Sequence, residues 1–123
     1  MTDTVFEITK AATFDAAHHL NHGPEGSLYR RLHGHSFRVE ATVRGPVSEP
    51  DGWVADLAAL DQALRAVANE LDHSLLNEHA GLETPTLEHL CLYFAARLGS
   101  DFPGLARIVV SRPTIGESCA LAL

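Results

Sequence analysis

The chain has 123 residues, of which 46% are hydrophobic, and its 16 acidic and 9 basic side chains give a net charge of -7. This length and hydrophobic content predict one domain, residues 1–123, with a single core. The negative charge argues against a nucleic-acid partner. Because no apolar run is long enough to cross a membrane and the first ten residues lack the layout of a signal peptide, we expect no membrane partner and a cytoplasmic protein.

Four segments have the features of β-strands, with alternating apolar and polar side chains in the two longer ones. Their bounds are residues 5–18, 36–44, 106–112 and 117–123. A turn-rich loop at 21–31 separates the first two and is long enough to carry function. Gly45 and Pro46 end the second strand, and a turn at 113–116 joins the last two.

Apolar residues follow helical spacing in the middle of the chain. This spacing predicts one helix from Leu57 to about Leu71 and a second between Pro85 and Gly99. The order ββααββ predicts an α+β fold whose two helices cover one face of an antiparallel sheet. Because the other face and the sheet edges then need partners, we expect a homo-oligomer. Cys91 and Cys119 are expected to be free thiols that pack as small hydrophobic groups.

Three histidines fall on the apolar faces of the first two predicted strands. His33 and His35 point to the same side of an extended chain, and Gly34 between them admits close backbone approach. His18 lies on the apolar face of the first strand. If the strands pair, the three rings converge, and three neutral imidazoles with an open position are the ligand set of catalytic zinc. Spacing alone leaves open a chance arrangement of packed or surface histidines.

The remaining histidines have other expected roles. Those expected to face the solvent or to cap a helix are His19, His22, His79 and His89. Asp72 and His73 differ because they follow helix one, and a carboxylate beside an imidazole can tune a proton-transfer group. A helix C-terminus also favours a charged histidine for structural reasons alone, so both interpretations remain open.

Five motifs occur in order along nearly the whole chain. They are FDAAH at 14–18, LHGH at 32–35, GWVADL at 52–57, LDHSLLN at 71–77 and TPTLE at 84–88. This set resembles the 6-pyruvoyl-tetrahydropterin synthase family, and most of all its 6-carboxy-tetrahydropterin synthase branch from queuosine biosynthesis. The resemblance implies the tunnelling fold (T-fold), in which the sheets of ββααββ subunits join into a barrel in a trimer or hexamer.

The resemblance also implies a reaction and its residues. The reaction is a zinc-dependent lyase step on 7,8-dihydroneopterin triphosphate or a related dihydropterin, with Zn²⁺ as a Lewis acid. The implied residues are zinc ligands at His18, His33 and His35, a proton relay at Asp72 and His73, and pterin contacts between subunits at Thr86 and Glu88.

Three positions depart from the patterns of the family and its branches. Tyr29 stands where the queuosine branch carries its catalytic cysteine, and Arg30 stands where a dihydroneopterin-cleaving branch carries a glutamate. Tyr29 can act as an acid or base only if its pKa, ordinarily about 10, is lowered. Arg112 stands in place of the glutamate that anchors the pterin, and an arginine offers only donors. Glu117 can substitute if the turn before it folds back.

These departures leave three interpretations. The first is a zinc-dependent dihydropterin lyase, with Tyr29 among its catalytic residues and Arg112 and Glu117 among its substrate contacts. The second is the same zinc scaffold with a changed substrate or reaction, because a fold does not fix its chemistry. The third is a pterin-binding homologue without turnover.

Overall fold

The structure is a computed structural model that describes residues 4–123. Its helices and strands are β1 (Phe6–His18), β2 (His33–Gly45), α1 (Leu57–Leu71), α2 (Leu87–Leu98), β3 (Leu105–Arg112) and β4 (Glu117–Ala122). The strands form one antiparallel sheet in the order β1-β2-β3-β4. Both helices pack on the sheet, so the predicted ββααββ order and α+β class are confirmed. Residues 1–3, which the predicted domain includes, lie outside the described part of the chain.

The pairing of β1 with β2 positions the candidate ligands. The two strands pair from Phe6 opposite Gly45 to His18 opposite His33. β2 therefore begins at His33, three residues before its predicted start, and the whole HGH motif lies within the strand. A Cβ atom added to Gly34 would lie 3.4 Å from the Ala16 carbonyl oxygen, which is an ordinary contact. The backbone at Gly34 therefore leaves room for a Cβ atom.

The hydrophobic core lies between the sheet and the helices. The ring of Phe14 stacks on Phe37 with centroids 5.0 Å apart and lies 5.9 Å from Phe94 of α2. Burying each such side chain stabilises the fold by about 1.5–3 kcal/mol. The completely buried leucines of the two helices are Leu60, Leu64, Leu71 and Leu90. The core extends to the end of the sheet, where the side chain of His18 is only 1% exposed.

Side-chain caps explain where the helices begin. The Asp56 carboxylate accepts the Ala58 backbone N–H at 2.8 Å, and the Thr86 hydroxyl accepts that of His89 at 3.1 Å. Such caps contribute about 1 kcal/mol each. Because Thr86 is the cap, α2 begins one residue after it, and Pro85 lies before the helix in an extended segment.

The sequence does not predict the short 3₁₀ helices at Leu28–Arg30, Leu76–Glu78 and Pro113–Ile115. As expected, Cys91 and Cys119 are free thiols, the first buried and the second half-buried.

Among the described residues, neither helix has the length and apolar character required to span a membrane. Within residues 4–123, both helices lie over one face of the sheet and none lies over the other. The predicted barrel of several subunits stays a prediction.

Candidate metal centre and adjoining cavities

Three imidazoles converge at the end of the sheet. One nitrogen each from His18, His33 and His35 lies within 4.8 Å of the other two. The ring centroids are 4.6 to 5.0 Å apart, and the rings are steeply inclined to one another. His18 is buried and the other two are half-buried. The convergence expected from the alternation of β1 and β2 is therefore present.

Backbone carbonyls fix the orientation of two of these rings. His18 Nδ1 donates to the carbonyl oxygen of Pro85 at 3.0 Å, and His33 Nδ1 donates to that of Arg31 at 2.6 Å. A neutral imidazole has one donor and one acceptor, so both Nε2 atoms carry lone pairs. These two acceptors face each other at 3.0 Å. Such a contact is repulsive unless a cation lies between the two nitrogens.

The donor set fits a metal ion. Nitrogens bound to one tetrahedral zinc at about 2.0–2.1 Å are roughly 3.3 Å apart, which is close to the 3.0 Å between the Nε2 atoms of His18 and His33. Histidine ligands ordinarily donate their second N–H to a carbonyl or carboxylate, as His18 and His33 do. Three imidazoles suit zinc and also copper, iron and nickel. The residues present therefore fit the divalent metal that the sequence predicts.

The surroundings favour neutral rings, which is the form that binds metal. Burial lowers the pKa of His18 to about 4, against the opposing effect of its hydrogen bond to Pro85. Burial also lowers the pKa of His35, and the nearby positive charge of Arg112 lowers it further. The rings of His18 and His35 are therefore neutral near pH 7.

Asp72 and His73 form a contact pair at the edge of β1. Asp72 Oδ2 lies 2.9 Å from His73 Nδ1, and Asp72 Oδ1 accepts the Asp15 backbone N–H at 2.8 Å. The hydrogen bond from Asp15, followed by the one from His73, lowers the pKa of the Asp72 carboxyl group. His73 N–H donates to the Asp15 carbonyl at 2.6 Å, and its φ of 57° is left-handed.

This pair adjoins the candidate metal centre. The exposed side chain of His73 lines a cavity of about 960 Å³, which we call the His73 cavity, together with Asp15, His35 and Ser36. The Ser36 hydroxyl donates to Asp15 Oδ1 at 2.5 Å. His73 therefore shares this cavity with His35, one of the three candidate metal ligands.

His35 also lines a second cavity. It measures about 690 Å³, and we call it the Arg112 cavity; its lining includes His33, His35, Tyr29, Arg112 and Glu117. Arg112 Nε lies 2.9 Å from Glu117 Oε1, although no acceptor is aligned with the Nε–H bond. The contact is therefore an ion pair. The 3₁₀ turn at Pro113–Ile115 folds the chain back and places Arg112 opposite Glu117 in the sheet.

Tyr29 is held in the wall of this cavity by the loop before β2. Its hydroxyl packs over Gly23, where any Cβ atom would overlap it, and the φ of +94° at Gly23 also favours glycine. The Tyr29 carbonyl accepts the Leu20 N–H at 2.8 Å. Arg30, which takes the position of the glutamate in the related branch, donates to the Gly23 carbonyl at 2.8 Å. Both departures from the family pattern thus take part in holding this loop.

The other predicted site residues lie further from the cluster. Thr86 caps α2 and Glu88 is exposed in its first turn, and neither lines the two cavities described above. Thr86 is nevertheless joined to the cluster through its neighbour Pro85, whose carbonyl holds His18. Their predicted place between subunits stays a prediction.

The remaining histidines are outside the cluster, with some differences from expectation. His22 and His89 are exposed, as expected, and His89 Nδ1 contacts the Thr84 carbonyl at 2.6 Å. His19 and His79 are half-buried instead of solvent-facing. His79 Nε2 lies 2.9 Å from the Ser74 hydroxyl, and His19 Nδ1 lies 3.0 Å from Asn21 Oδ1. Local hydrogen bonds thus hold the rings of His19 and His79 against neighbouring residues.

The fold and the histidine cluster together define a class: T-fold proteins with a candidate metal centre at the end of the sheet. The solved structure of Caenorhabditis elegans 6-pyruvoyl tetrahydropterin synthase has a TM-score of 0.83, with 98% of this chain and 96% of that chain covered at 22% identity. The Plasmodium falciparum protein of the same name gives 0.73, with 97% and 98% covered at 20% identity. The 6-pyruvoyl tetrahydropterin synthase family model matches residues 7–122, and the chain belongs to this family.

Relatives by sequence carry different names. A 6-carboxy-5,6,7,8-tetrahydropterin synthase of Synechocystis is 40% identical over 109 residues, which cover 84% of this chain and 83% of the relative. A dihydroneopterin monophosphate aldolase of Pyrococcus furiosus is 34% identical over 93 residues, which cover 76% and 75%. Similarity thus extends to proteins named for different reactions, and the site residues must distinguish between them.

Proposed function

We propose that the chain is a zinc-dependent lyase of the 6-pyruvoyl and 6-carboxy-tetrahydropterin synthase type, acting on 7,8-dihydroneopterin triphosphate or a related dihydropterin. The observation that carries this proposal is the pair of acceptor nitrogens of His18 and His33, 3.0 Å apart, with His35 beside them. Membership of the family supports the pterin substrate. The names of the Synechocystis and Pyrococcus relatives support a reaction at the pterin side chain.

His18, His33 and His35 would hold the zinc ion. When bound, zinc acts as a Lewis acid that makes a coordinated hydroxyl group easier to deprotonate. The chain itself supplies the proton acceptor. Asp72 binds His73 Nδ1, which leaves His73 Nε2 to exchange a proton with a ligand in the His73 cavity. Because Asp72 is fixed by the Asp15 backbone, it can hold that ring in one tautomer.

Tyr29 is the proposed second proton-transfer group. Tyr29 lines the Arg112 cavity together with the candidate ligands His33 and His35. The packing on Gly23 holds the side chain in place. Replacing Tyr29 by phenylalanine keeps the packing and removes the proton, so we expect a loss of turnover with little change in pterin binding. Tyr29→Cys, which introduces the thiol of the queuosine branch, is expected to raise a weak activity.

Arg112 and Glu117 are the proposed contacts to the pterin ring. The Glu117 carboxylate is half-exposed in the cavity wall, and a carboxylate can accept both the 2-amino group and the adjacent ring N–H. Arg112 forms an ion pair with that carboxylate and has further N–H donors for a ring carbonyl. Pterin has this amino and oxo edge, whereas lumazine has a second oxo group in place of the amino group. We therefore expect tighter binding of pterin than of lumazine, and loss of this preference in Glu117→Gln.

The unpaired edges of β1 and β4 support a homo-oligomer, either a trimer or a hexamer, with sites between subunits. Within residues 4–123 the four strands form an open sheet with β1 and β4 as its edge strands. Residues 72–75 bond only the end of the β1 edge in this part of the chain, at Asp15 and Ala17. Unpaired edges are ordinarily covered or closed into a barrel. Sedimentation analysis is expected to show three or six chains per particle, and a monomer at micromolar concentration would contradict this part of the proposal.

The reaction is tested by incubating zinc-loaded and metal-stripped protein with 7,8-dihydroneopterin triphosphate and identifying the products by mass spectrometry. The proposal predicts a zinc-dependent product that has lost triphosphate, and its mass shows whether the side-chain carbon–carbon bond is also broken. Unchanged substrate that remains tightly bound would indicate a non-catalytic pterin-binding protein. Absence of both binding and turnover would indicate a changed substrate.

A further inference from the structure

We propose that Asn77 is a positioning residue that fixes the His18 imidazole for metal binding. The inference rests on the three-histidine metal centre proposed above. Asn77 lies in the 3₁₀ helix Leu76–Glu78 and belongs to neither the histidine cluster nor the lining of its two cavities. Its carboxamide acts on the two parts of the structure that determine where the His18 ring lies.

The first part is the backbone on both sides of His18. Ala17 N–H donates to the Ser74 carbonyl at 2.9 Å, as it would to a neighbouring parallel strand. Two residues further along, the side chain of Asn77 takes the place of that strand. Its Oδ1 accepts the His19 N–H at 3.1 Å, and its Nδ2 donates to the His19 carbonyl at 2.9 Å.

The two anchored residues leave His18 little freedom. Side chains alternate along a strand, so fixing the backbone of Ala17 and His19 also fixes the side of the sheet on which the His18 ring lies. The His18 side chain is directed into the core and is 1% exposed. Leu76, the neighbour of Asn77, is completely buried and anchors the 3₁₀ helix that carries the carboxamide. Asn77 thus connects the core to the end of the ligand strand.

The second part is the segment that sets the tautomer of His18. Asn77 Nδ2 also lies 3.4 Å from the Glu83 carbonyl oxygen, two residues before Pro85. The Pro85 carbonyl accepts the Nδ1–H of His18 and leaves Nε2 free for a metal. One carboxamide therefore holds both the backbone of the ligand and the segment that orients its ring. Loss of such an outer partner of a metal ligand typically weakens metal affinity 10- to 100-fold.

The matched control is Asn21→Ala. Asn21 also contacts His19, but through the ring, at 3.0 Å from Nδ1, and it lies in the exposed loop before β2. Two variants of the positioning residue are compared with this control. Asn77→Ala removes all three hydrogen bonds, and Asn77→Asp keeps the shape and the acceptor while directing an oxygen at the carbonyls of His19 and Glu83. If Asn77→Ala does not fold, Asn77→Asp provides the test.

Zinc affinity is measured by competition with a chelator, and the site geometry by the visible absorption of the cobalt-loaded protein. We expect both Asn77 variants to bind zinc 10- to 100-fold more weakly with a changed cobalt spectrum, and Asn21→Ala to match the parent protein. Folded Asn77 variants with affinities within twofold of the parent and an unchanged cobalt spectrum would overturn the inference.

A further measurement separates this inference from the proposed function. Imidazole ¹⁵N chemical shifts of the metal-free protein report the tautomer of His18 without any metal. We expect protonated Nδ1 in the parent and in Asn21→Ala, and a mixture of tautomers in Asn77→Ala. If the parent binds no metal, the proposed metal centre fails, while an unchanged single tautomer in a folded Asn77 variant rejects the role of Asn77.

Discussion

His18 Nε2 and His33 Nε2 face each other at 3.0 Å, although each ring already donates its Nδ1 proton to a backbone carbonyl. Two lone pairs at this distance repel unless a cation lies between them. His35 brings a third imidazole to the same place. The three rings therefore form a set of acceptors that fits a cation.

Removing one ligand is expected to abolish stoichiometric zinc binding. His33→Ala or His35→Ala leaves two imidazoles, and we expect a loss larger than the 10- to 100-fold effect of an outer partner. Metal content after dialysis measures this. His22→Ala is the control because His22 is exposed in the loop before β2. Equal zinc retention in all three variants would reject the assignment of the ligands.

Acid is expected to destabilise the metal-free protein through His18. Its pKa is about 4 in the folded chain and about 6.5 when unfolded, so between these values the unfolded chain binds the extra proton. Stability is therefore complete above about pH 6.5 and falls as the pH is lowered to about 4. Because one pKa unit corresponds to about 1.4 kcal/mol, the loss is on the order of 3 kcal/mol.

Denaturant unfolding of metal-free protein between pH 4 and 7 measures this effect. His18→Asn is expected to have a flatter dependence on pH, whatever its stability at pH 7. His22→Asn is expected to keep the slope of the parent because His22 is exposed. If His18→Asn has the same dependence of unfolding free energy on pH as the parent, another group is responsible for that dependence.

Asp72→Asn is expected to reduce turnover while the protein remains folded. The amide oxygen can still accept the Asp15 N–H, but the negative charge beside His73 is lost. General acid–base groups contribute about 10²–10⁴ to rate, so we expect a kcat lowered within that range in the product assay, with a shifted pH profile. Asp61→Asn, which changes a surface ion pair with Arg65, is the control. Full activity in Asp72→Asn would remove the pair from the mechanism.

Phe94→Ala is expected to be the more damaging of two changes in α2. Phe94 is completely buried against Phe14, and its loss leaves a cavity that costs about 3–5 kcal/mol. Leu92 is 55% exposed, so Leu92→Ala is expected to change the free energy of unfolding by less than about 0.5 kcal/mol. Denaturant unfolding at pH 7 compares the two, and similar losses would contradict the packing described here.

The sequence predicts the elements better than their contacts. Alternation identified the buried side of β1, and helical spacing identified α1, because both patterns record which side chains face the core. The same alternation predicts that His18 lies on the same face of the sheet as His33 and His35. It could not show that β2 extends back to His33, because glycine and two histidines carry no strong strand preference.

The missed features depend on the path of the backbone. The carbonyls of Pro85 and Arg31 orient two rings, yet a carbonyl belongs to every residue and has no sequence signal. The two hydrogen bonds between the Asn77 side chain and the His19 backbone form because the 3₁₀ helix lies beside the end of β1, which the sequence does not show. The position of Glu117 depends on the conformation of the turn before it, which the sequence does not determine. In the structure this turn folds back and brings Glu117 next to Arg112.

The most direct test of the central claim is X-ray absorption spectroscopy of the protein loaded with one equivalent of zinc. The account predicts three imidazole nitrogens at about 2.0–2.1 Å from the metal, with any further ligand a light atom. Zinc added to the variant His35→Ala is expected to have fewer than three imidazole nitrogens, because this variant no longer holds zinc stoichiometrically. A sulfur ligand at about 2.3 Å, or an imidazole count that does not change in His35→Ala, would contradict the three-histidine centre.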